Sequence, residues 1–284
     1  MPALLIKGDE VANKVRSEIS AELKDLYEKT DRVPGLAVVI VGEHPASLSF
    51  VINKEKQSKK LGFYSEIHRL SAEASHEDIL TVIQQLNGDD NIHGIMVQLP
   101  LPEKINEKAI LDAIDPDKDV EGVHPINMGK LFSDEKGFLP CTAYSIMQMI
   151  EFPRQPVFGK SAVLISRSNI VGKPLSLLLL RRNASVTVCH SQTKDLADIC
   201  READILVTAA GKPELVKGDW VKPGAMVIDV GMTQVGDKLV GDVVFEEAKE
   251  IAGWISPVPG GVGPITITTL MKNTLEAFKK KLEI

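Results

Sequence analysis

The sequence predicts an α/β protein with two open parallel-sheet lobes around a cleft, the second of them a Rossmann-like dinucleotide-binding domain. Three observations predict this class. Segments of strand and helix character alternate along the whole chain, as in repeated β-α-β units. Residues 35–42 form an apolar run bounded by glycines, which is typical of a parallel strand buried on both faces. The length of 284 residues suggests two domains or one large domain.

The first half of the chain carries three predicted strands, each followed by a predicted helix. The strands are expected at residues 35–42, 64–70 and 94–98, and the helices at residues 46–61, 76–86 and 106–114. The helix at 76–86 is amphipathic, because its apolar residues recur at intervals of three and four. Pro100 and Pro102 follow the third strand and end its hydrogen-bonded ladder.

The second half repeats this pattern after a stretch that Pro153, Pro156 and Gly159 interrupt. Strands are expected at residues 161–165, 185–189, 204–208 and 226–229, and helices at 144–150, 175–182, 193–200 and 265–282. We expect the last of these helices to return and pack on the first domain. The predicted division therefore assigns residues 1–141 plus 266–284 to the first domain and residues 142–265 to the second.

Composition and charge exclude several classes of protein. The chain has 33 basic and 39 acidic residues and a net charge of -6, which argues against a nucleic-acid partner. Aliphatic runs such as residues 36–41 are too short to span a bilayer, and the apolar N-terminal stretch is too short for a signal peptide. The 3 cysteines form no CxxC motif, and the histidines lack ligand spacing. We therefore expect no membrane, no metal site and a cytoplasmic location.

Residues 166–172 follow a predicted strand and precede a helix, where a dinucleotide places its pyrophosphate. Because the segment holds a single glycine, an ordinary β-α turn explains it equally well. The next strand ends without the acidic residue that binds the ribose of NAD. Arg167 and Ser191 instead supply a cation and a hydroxyl that suit a 2′-phosphate, so NADP is favoured over NAD. The alternative is that Arg167 is a solvated surface cation.

Two side chains of the first half suggest a site for a flat substrate. Phe50 and Lys54 lie one turn apart on the helix at 46–61, so a ring platform would stand beside a proton donor. Gln98 ends a strand at the sheet edge where open α/β proteins bind ligands. The alternatives are a core phenylalanine, a solvated lysine and a strand end without chemistry.

Two loops carry further candidates. The loop at residues 117–125 is dense in ionisable groups, and a carboxylate there suits the amino edge of a pyrimidine ring, although a solvated turn is the alternative. Residues 257–264 hold three glycines, which let a backbone approach a ligand closely.

Together these segments resemble the bifunctional methylenetetrahydrofolate dehydrogenase/cyclohydrolase family, the FolD type. The resemblance covers nearly the whole chain and rests on residues 54–56, 97–102, 118–125, 140–142, 167–174 and 257–264. It implies oxidation of 5,10-methylenetetrahydrofolate with NADP⁺, followed by hydrolysis of the methenyl product to 10-formyltetrahydrofolate. It also implies a cytoplasmic homodimer, a folate-binding catalytic first domain and an NADP-binding second domain.

The resemblance further implies a role for individual residues. Lys54 corresponds to the catalytic lysine, and Gln98 to the partner that orients it. The residues implied to bind the folate are Phe50, Lys54, Val97, Gln98, Leu99, Glu121, Pro259, Gly260, Gly261 and Gly263. The residues implied to bind the cofactor are Ser166, Arg167, Ser168, Ser191 and Met232. Desolvation by a stacked ring is expected to lower the pKa of Lys54 and let it act as a base.

The sequence departs from the family pattern at several positions. Phe50 replaces a tyrosine and loses its hydroxyl, Glu121 replaces an aspartate, and Ser166 replaces a glycine. Val244 stands where an aspartate is usual. The departures at Phe50 and Glu121 motivate an alternative, a dehydrogenase with weak or lost cyclohydrolase activity. A non-catalytic folate- or nucleotide-binding protein is the alternative from another class, and the retained Lys54 argues against it.

Overall fold

The computed structural model of the protein describes residues 1–283. Its internal contacts divide the chain into two units. The six-stranded unit comprises Met1–Lys14 and Thr142–Thr266, and the three-stranded unit comprises Val15–Cys141 and Ile267–Ile284. Within the described residues, none of the helices combines the length and apolar character that crossing a bilayer requires.

Strands and helices alternate as the sequence predicts. The strands are β1 Leu4–Leu5, β2 Gly35–Val41, β3 Tyr64–Leu70, β4 Gly94–Val97, β5 Ser161–Ile165, β6 Ser185–Cys189, β7 Ile205–Thr208, β8 Met226–Asp229, β9 Thr233–Val235, β10 Lys238–Val240 and β11 Trp254–Ile255. The helices are α1 Gly8–Tyr27, α2 Pro45–Lys60, α3 His76–Gly88, α4 Glu107–Asp112, α5 Pro125–Phe132, α6 Cys141–Glu151, α7 Gly172–Arg181, α8 Leu196–Arg201, α9 Phe245–Ala248 and α10 Gly263–Lys281. The predicted α/β class is confirmed.

The three-stranded unit is built around β2, whose seven residues are all buried. The sheet order is β3-β2-β4, and both pairings are parallel. Alternate β2 residues face opposite sides, so the two faces pack in separate apolar clusters. One cluster joins Leu36, Val38 and Ile40 to α1 and α10, and the other joins Ala37, Val39 and Val41 to α3. The continuous apolar run of residues 35–42 thus reflects burial on both faces.

The last helix contributes to the core of the three-stranded unit, as the sequence analysis expects. Leu270, Met271, Leu275 and Phe278 of α10 are buried in the cluster that covers one face of β2. The unit is therefore assembled from two segments that lie far apart in the sequence.

The six-stranded unit has the strand order β1-β11-β8-β7-β5-β6, with every neighbouring pair parallel. From β5 the chain adds β6 on one side and then β7 on the other. The direction of winding therefore reverses between β5 and β7, which is the point where open sheets bind ligands. A short antiparallel hairpin, β9 with β10, stands outside this sheet.

Some elements differ from the sequence-based expectation. The predicted division placed residues 1–14 in the first domain, whereas Leu4 and Leu5 pair with Trp254 and Ile255 and group with the six-stranded unit. A two-residue strand carries too short a pattern to reveal its partner. Helix α1 was not predicted, although the four-residue spacing of its buried apolar side chains is a helical signal.

The first residues of two helices also differ from the predicted ones by a few positions. Helix α7 begins at Gly172 rather than residue 175, and α8 begins at Leu196 rather than residue 193. Thr193 is held in a turn, because its hydroxyl accepts a hydrogen bond from the His190 N–H at 2.9 Å. Helix termini depend on such side-chain contacts, which periodicity does not report.

Candidate active site

Lys54 and Gln98 come from neighbouring elements of the three-stranded unit and contact each other directly. Lys54 lies in α2, and its Nζ donates a hydrogen bond to Gln98 Oε1 at 2.9 Å. Gln98 follows β4, and its backbone N–H donates to the Val39 carbonyl at 2.8 Å. Its Nε2 donates to the Leu99 carbonyl at 2.7 Å, which keeps the amide oxygen turned toward the lysine. The two residues predicted to form a catalytic pair are thus in contact.

Burial shifts the pKa of Lys54 and of Glu121 toward each other. Desolvation lowers the pKa of Lys54, and the nearby Glu121 charge opposes that shift. Desolvation raises the pKa of Glu121 to about 7, while the charge of Lys54 pulls it down. Each group favours its neutral form more than it would in water. The lysine therefore gives up a proton more readily, and the carboxyl group of Glu121 holds one more readily, than either would in water.

Phe50 precedes Lys54 by one turn of α2 and is 47% exposed. The alternative of a core phenylalanine is therefore wrong. The exposed ring has a free face for a flat ligand, but it carries no hydroxyl to share a proton with the lysine.

The loop that carries Glu121 is wound around the carboxylate of Asp119. This side chain is 1% exposed, and burial raises its pKa. The N–H groups of Gly122 and His124 donate to it at 3.1 and 2.8 Å. The side-chain amide of Asn127 donates to it at 2.9 Å. These bonds fix the backbone on both sides of Glu121.

Two further contacts hold the same loop. The backbone N–H of Cys141 donates to the Glu121 carbonyl at 3.0 Å. The side chain of Asn273, from α10, donates to the carbonyls of Val120 and Leu139 at 2.8 and 3.0 Å. Sequence reasoning missed Asp119 and Asn273 as supports, because both act through backbone groups that a motif does not show.

Two other predicted folate residues differ in what they expose. Val97 is fully buried in the core beside α3, so the structure exposes no part of it to a ligand. Leu99 is half-buried and precedes Pro100 through a cis peptide bond.

The predicted glycine loop at residues 259–263 begins after the cis Val258-Pro259 bond, in the six-stranded unit. Pro259, Gly260 and Gly263 are exposed, and Gly260 has a φ of +98°. Gly261 is buried, and a Cβ there would lie 2.6 Å from the Pro257 carbonyl oxygen. Close backbone packing thus accounts for Gly261, whereas Gly260 and Gly263 remain accessible.

The turn between β5 and α7 is tight because of Gly172. A Cβ at this position would lie 2.1 Å from the Ser166 carbonyl oxygen, so a side chain would push the turn away from the helix. The hydroxyl of Ser168 accepts hydrogen bonds from the N–H groups of Val171 and Gly172 at 3.1 and 3.4 Å. Arg167 lies beside it and is exposed.

The other predicted cofactor residues lie on the same edge of the six-stranded sheet. Ser191 follows β6 and is exposed, and Met232 follows β8 and is 53% exposed. Because β5, β6 and β8 are parallel members of one sheet, their carboxyl ends share an edge. The close turn, the exposed guanidinium of Arg167 and the hydroxyl of Ser191 form a donor set that fits NADP. A solvated role for Arg167 remains the alternative.

Comparison with protein families adds independent evidence. The family model described as tetrahydrofolate dehydrogenase/cyclohydrolase, catalytic domain, matches residues 6–121. The model described as the NAD(P)-binding domain of the same proteins matches residues 140–282. The chain belongs to the tetrahydrofolate dehydrogenase/cyclohydrolase family. The resemblance stated from the motifs is confirmed.

Individual members of the tetrahydrofolate dehydrogenase/cyclohydrolase family match over their full length. The bifunctional protein FolD of Moorella thermoacetica is 53% identical over 282 residues, which is 99% of this chain and 100% of that protein. The bifunctional FolD enzyme of Campylobacter jejuni has a crystal structure that is 41% identical, with a TM-score of 0.95 over 98% of this chain and 99% of that chain. The FolD structure of Trypanosoma brucei, complexed with NADP cofactor and an inhibitor, is 40% identical, with a TM-score of 0.95 over 100% of both chains.

Proposed function

We propose that the protein oxidises 5,10-methylenetetrahydrofolate with NADP⁺ and then hydrolyses the 5,10-methenyl product to 10-formyltetrahydrofolate. The hydrogen bond of 2.9 Å between Lys54 Nζ and Gln98 Oε1 carries this proposal. It places an amine with a lowered pKa beside a fixed amide and within the field of Glu121. Membership of the family supplies the substrate class.

The hydride step requires mainly that the protein hold two ligands in a reactive orientation. NADP⁺, when bound, accepts the hydride that leaves the methylene carbon. We assign its phosphates to the turn at Ser166 and Ser168, and its 2′-phosphate to Arg167 and Ser191. Phe50 offers its exposed ring face to the folate, and Glu121 offers a carboxyl group to the pterin edge.

The hydrolytic step requires a base. A water molecule adds to the methenyl carbon and loses a proton, and the ring opens to the 10-formyl product. Neutral Lys54 takes that proton at Nζ and, once protonated, donates it to the departing nitrogen, while the remaining hydroxyl proton is released to solvent as the formyl C=O bond forms and the C–N bond breaks. Gln98 keeps the amine oriented, because its own amide is fixed to the Leu99 carbonyl at 2.7 Å.

A dehydrogenase with weak or lost cyclohydrolase activity is the second candidate. The specific observation in its favour is Phe50, whose exposed ring presents no hydroxyl to Lys54. The hydride step has no use for a hydroxyl there, whereas in the hydrolytic step a hydroxyl beside Lys54 would help to move the proton from water to the amine.

A spectroscopic assay decides between these candidates. It supplies 5,10-methylenetetrahydrofolate with NADP⁺ or with NAD⁺ and follows the reduced cofactor and the methenyl product as separate signals. Reduced cofactor with 10-formyl product above a no-enzyme control is expected. Methenyl product that decays only at the uncatalysed rate would establish the second candidate. If neither NADP⁺ nor NAD⁺ is reduced, both candidate functions are contradicted, and a non-catalytic binding protein is favoured.

We further propose that the three-stranded unit binds folate, that the six-stranded unit binds NADP, and that the protein is a cytoplasmic homodimer. Strand β6 supports the dimer, since it ends the six-stranded sheet and leaves backbone groups open to pairing. Cys141, Cys189 and Cys200 are buried and none of the three forms a disulfide, as in a reducing compartment. Analytical ultracentrifugation should give twice the chain mass, and a monomer at all concentrations would overturn the dimer.

A further inference from the structure

A buried carboxylate lies beneath the exposed loop that follows β7. Asp242 is 0% exposed. Its Oδ2 accepts hydrogen bonds from Thr208 Oγ1 at 3.0 Å and from the N–H groups of Ala210 and Gly211 at 2.6 and 3.2 Å. Its Oδ1 accepts from the Lys212 N–H at 2.8 Å. Three successive backbone amides therefore converge on one side chain.

This arrangement determines what the loop offers to a ligand. Converging backbone N–H groups commonly bind phosphate or another anion. Here the carboxylate of Asp242 fills that position, so these amides are not free for the cofactor phosphates. The loop residues Ala210, Gly211 and Lys212 are themselves exposed, and Gly211 has a φ of +64°. The buried acid thus fixes the conformation of an exposed loop from below.

The loop lies at the place where the sheet is expected to bind its cofactor. Thr208 pairs with Ile165, the last residue of β5, and the Ala209 N–H donates to the Ile165 carbonyl at 3.2 Å. The next residue after Ile165 is Ser166, where the proposed phosphate-binding turn begins. The loop and that turn therefore follow the carboxyl ends of two adjacent strands, β7 and β5. This is the point of the sheet where the winding direction reverses.

A second buried carboxylate connects Asp242 to the segment that leads to Met232. Asp229 accepts hydrogen bonds at Oδ1 from the N–H groups of Asp242 and Gly231, at 3.0 and 2.9 Å. Its Oδ2 accepts from the Val243 N–H at 2.9 Å. A Cβ at Gly231 would lie 2.4 Å from the Asp242 carboxyl, so the segment packs directly against it. One acid pair thus fixes two loops on the proposed cofactor edge.

We propose that Asp242 is a positioning residue for NADP⁺ binding, which acts by holding the Ala210–Gly211–Lys212 loop in the conformation that meets the nicotinamide half of the cofactor. The inference rests on the proposed function for the identity of the cofactor. It assigns no contact between Asp242 and the cofactor itself. The competing explanation is that the acid only stabilises the fold.

The test separates cofactor binding from folding, because hydrolysis of supplied 5,10-methenyltetrahydrofolate needs no NADP⁺. Asp242→Asn keeps the size but turns an amide N–H toward backbone donors. Thr208→Val is milder and removes a single donor. Thr274→Val is the matched control, since it removes another fully buried hydroxyl, one bonded to the Leu270 carbonyl at 2.8 Å within α10. NADP⁺ affinity is measured by calorimetry, alongside the KM values of both substrates.

We expect the NADP⁺ dissociation constant and KM to rise about tenfold in Asp242→Asn and about threefold in Thr208→Val. The folate KM, the hydrolysis rate and all Thr274→Val values should stay within about twofold of the wild type. Unchanged NADP⁺ affinity in folded variants would overturn the proposal, as would a parallel loss of both activities in both variants. If the wild type lacked dehydrogenase activity, the proposed function would fail, but calorimetry with NADP⁺ would still test Asp242.

Discussion

At the scale of single residues, burial sets the chemistry of the Lys54 and Glu121 pair. The ammonium and the carboxylate each lose hydration in this environment, so both are easier to neutralise than in water. Gln98 gives the amine a fixed direction, and the loop wound around Asp119 gives the carboxyl a fixed place. The proposed chemistry depends on these supports as much as on the two titrating groups.

Replacing Glu121 should shift the pH dependence of hydrolysis. In Glu121→Gln the negative neighbour that raises the pKa of Lys54 is gone, so that pKa falls further. If neutral Lys54 is the base, the rise of the hydrolysis rate with pH should move to lower pH. The measurement is the pH profile of methenyltetrahydrofolate hydrolysis, with the exposed Glu73→Gln as the control. A shift to higher pH, or none, would contradict the assignment.

Restoring a hydroxyl at position 50 should favour hydrolysis. The ring of Phe50 is 47% exposed, so Phe50→Tyr adds its hydroxyl at the surface without overpacking the core. We expect the ratio of hydrolysis to dehydrogenation to rise several-fold, while stability changes by less than about 0.5 kcal/mol. Both rates are measured on one preparation, with Phe158→Tyr, another exposed ring, as the control. An unchanged ratio would mean that the hydroxyl has no part in proton transfer here.

At the scale of elements, the hydrophobic pattern and the turn residues predicted the positions of the parallel strands correctly. Strands β3, β5, β6 and β8 have the predicted bounds, and β5 and β8 are the short buried apolar runs expected of parallel strands. The starts of α7 and α8 were less predictable, since the hydroxyls of Ser168 and Thr193 hold turns just before them. The contact of Lys54 with Gln98 was predictable only through the family resemblance. The hydrogen bonds of Asp242 were not predictable from the sequence, because most of them are donated by backbone amides.

Helix α9 offers a direct test of a departure from the family pattern. Val244 is its N-cap residue and makes no side-chain capping bond, whereas aspartate is usual there. Val244→Thr keeps the shape and supplies a hydroxyl, so we expect about 0.5–1 kcal/mol of added stability. Chemical denaturation measures the gain, and Val235→Thr on the exposed hairpin is the control. A loss of stability would show that the packing of the valine outweighs the cap.

At the scale of the whole molecule, the α/β class and the return of the final helix followed from the sequence, whereas the pairing of β1 did not. A long periodic segment is enough to predict its own secondary structure, but a two-residue strand can be recognised only from the strand with which it pairs.

The stability of the whole molecule depends on pH through buried groups whose protonation differs between the folded and the unfolded chain. His93 is one such group. Its Nδ1 accepts a hydrogen bond from the Gly35 N–H at 3.0 Å.

His93 should make the folded state sensitive to acid. Burial lowers its pKa from 6.5 to about 4, so the unfolded chain binds a proton more readily. Its contribution is complete above pH 6.5 and is lost as the pH falls toward 4, by up to about 3 kcal/mol. Glu121 and Asp229 have raised pKa values and act in the opposite direction, so the comparison is made against a variant.

The measurement is the free energy of unfolding of wild type and His93→Gln at several values of pH. The difference between the two proteins should shrink as the pH falls from 6.5 to 4. Exposed His44→Gln serves as the control and should track the wild type. A difference that is constant with pH would show that His93 does not titrate between the two states.

The two-segment core of the three-stranded unit has a consequence for synthesis on the ribosome. Strand β2 is synthesised early, but part of one of its apolar faces stays uncovered until α10 has been translated. The α10 residues that cover this part are Leu270, Met271, Leu275 and Phe278. The nascent chain therefore exposes this hydrophobic surface for most of its elongation, which is when chaperones and proteases act. A premature stop codon before α10 would leave the surface bare for good, so such a product should be degraded rather than accumulate.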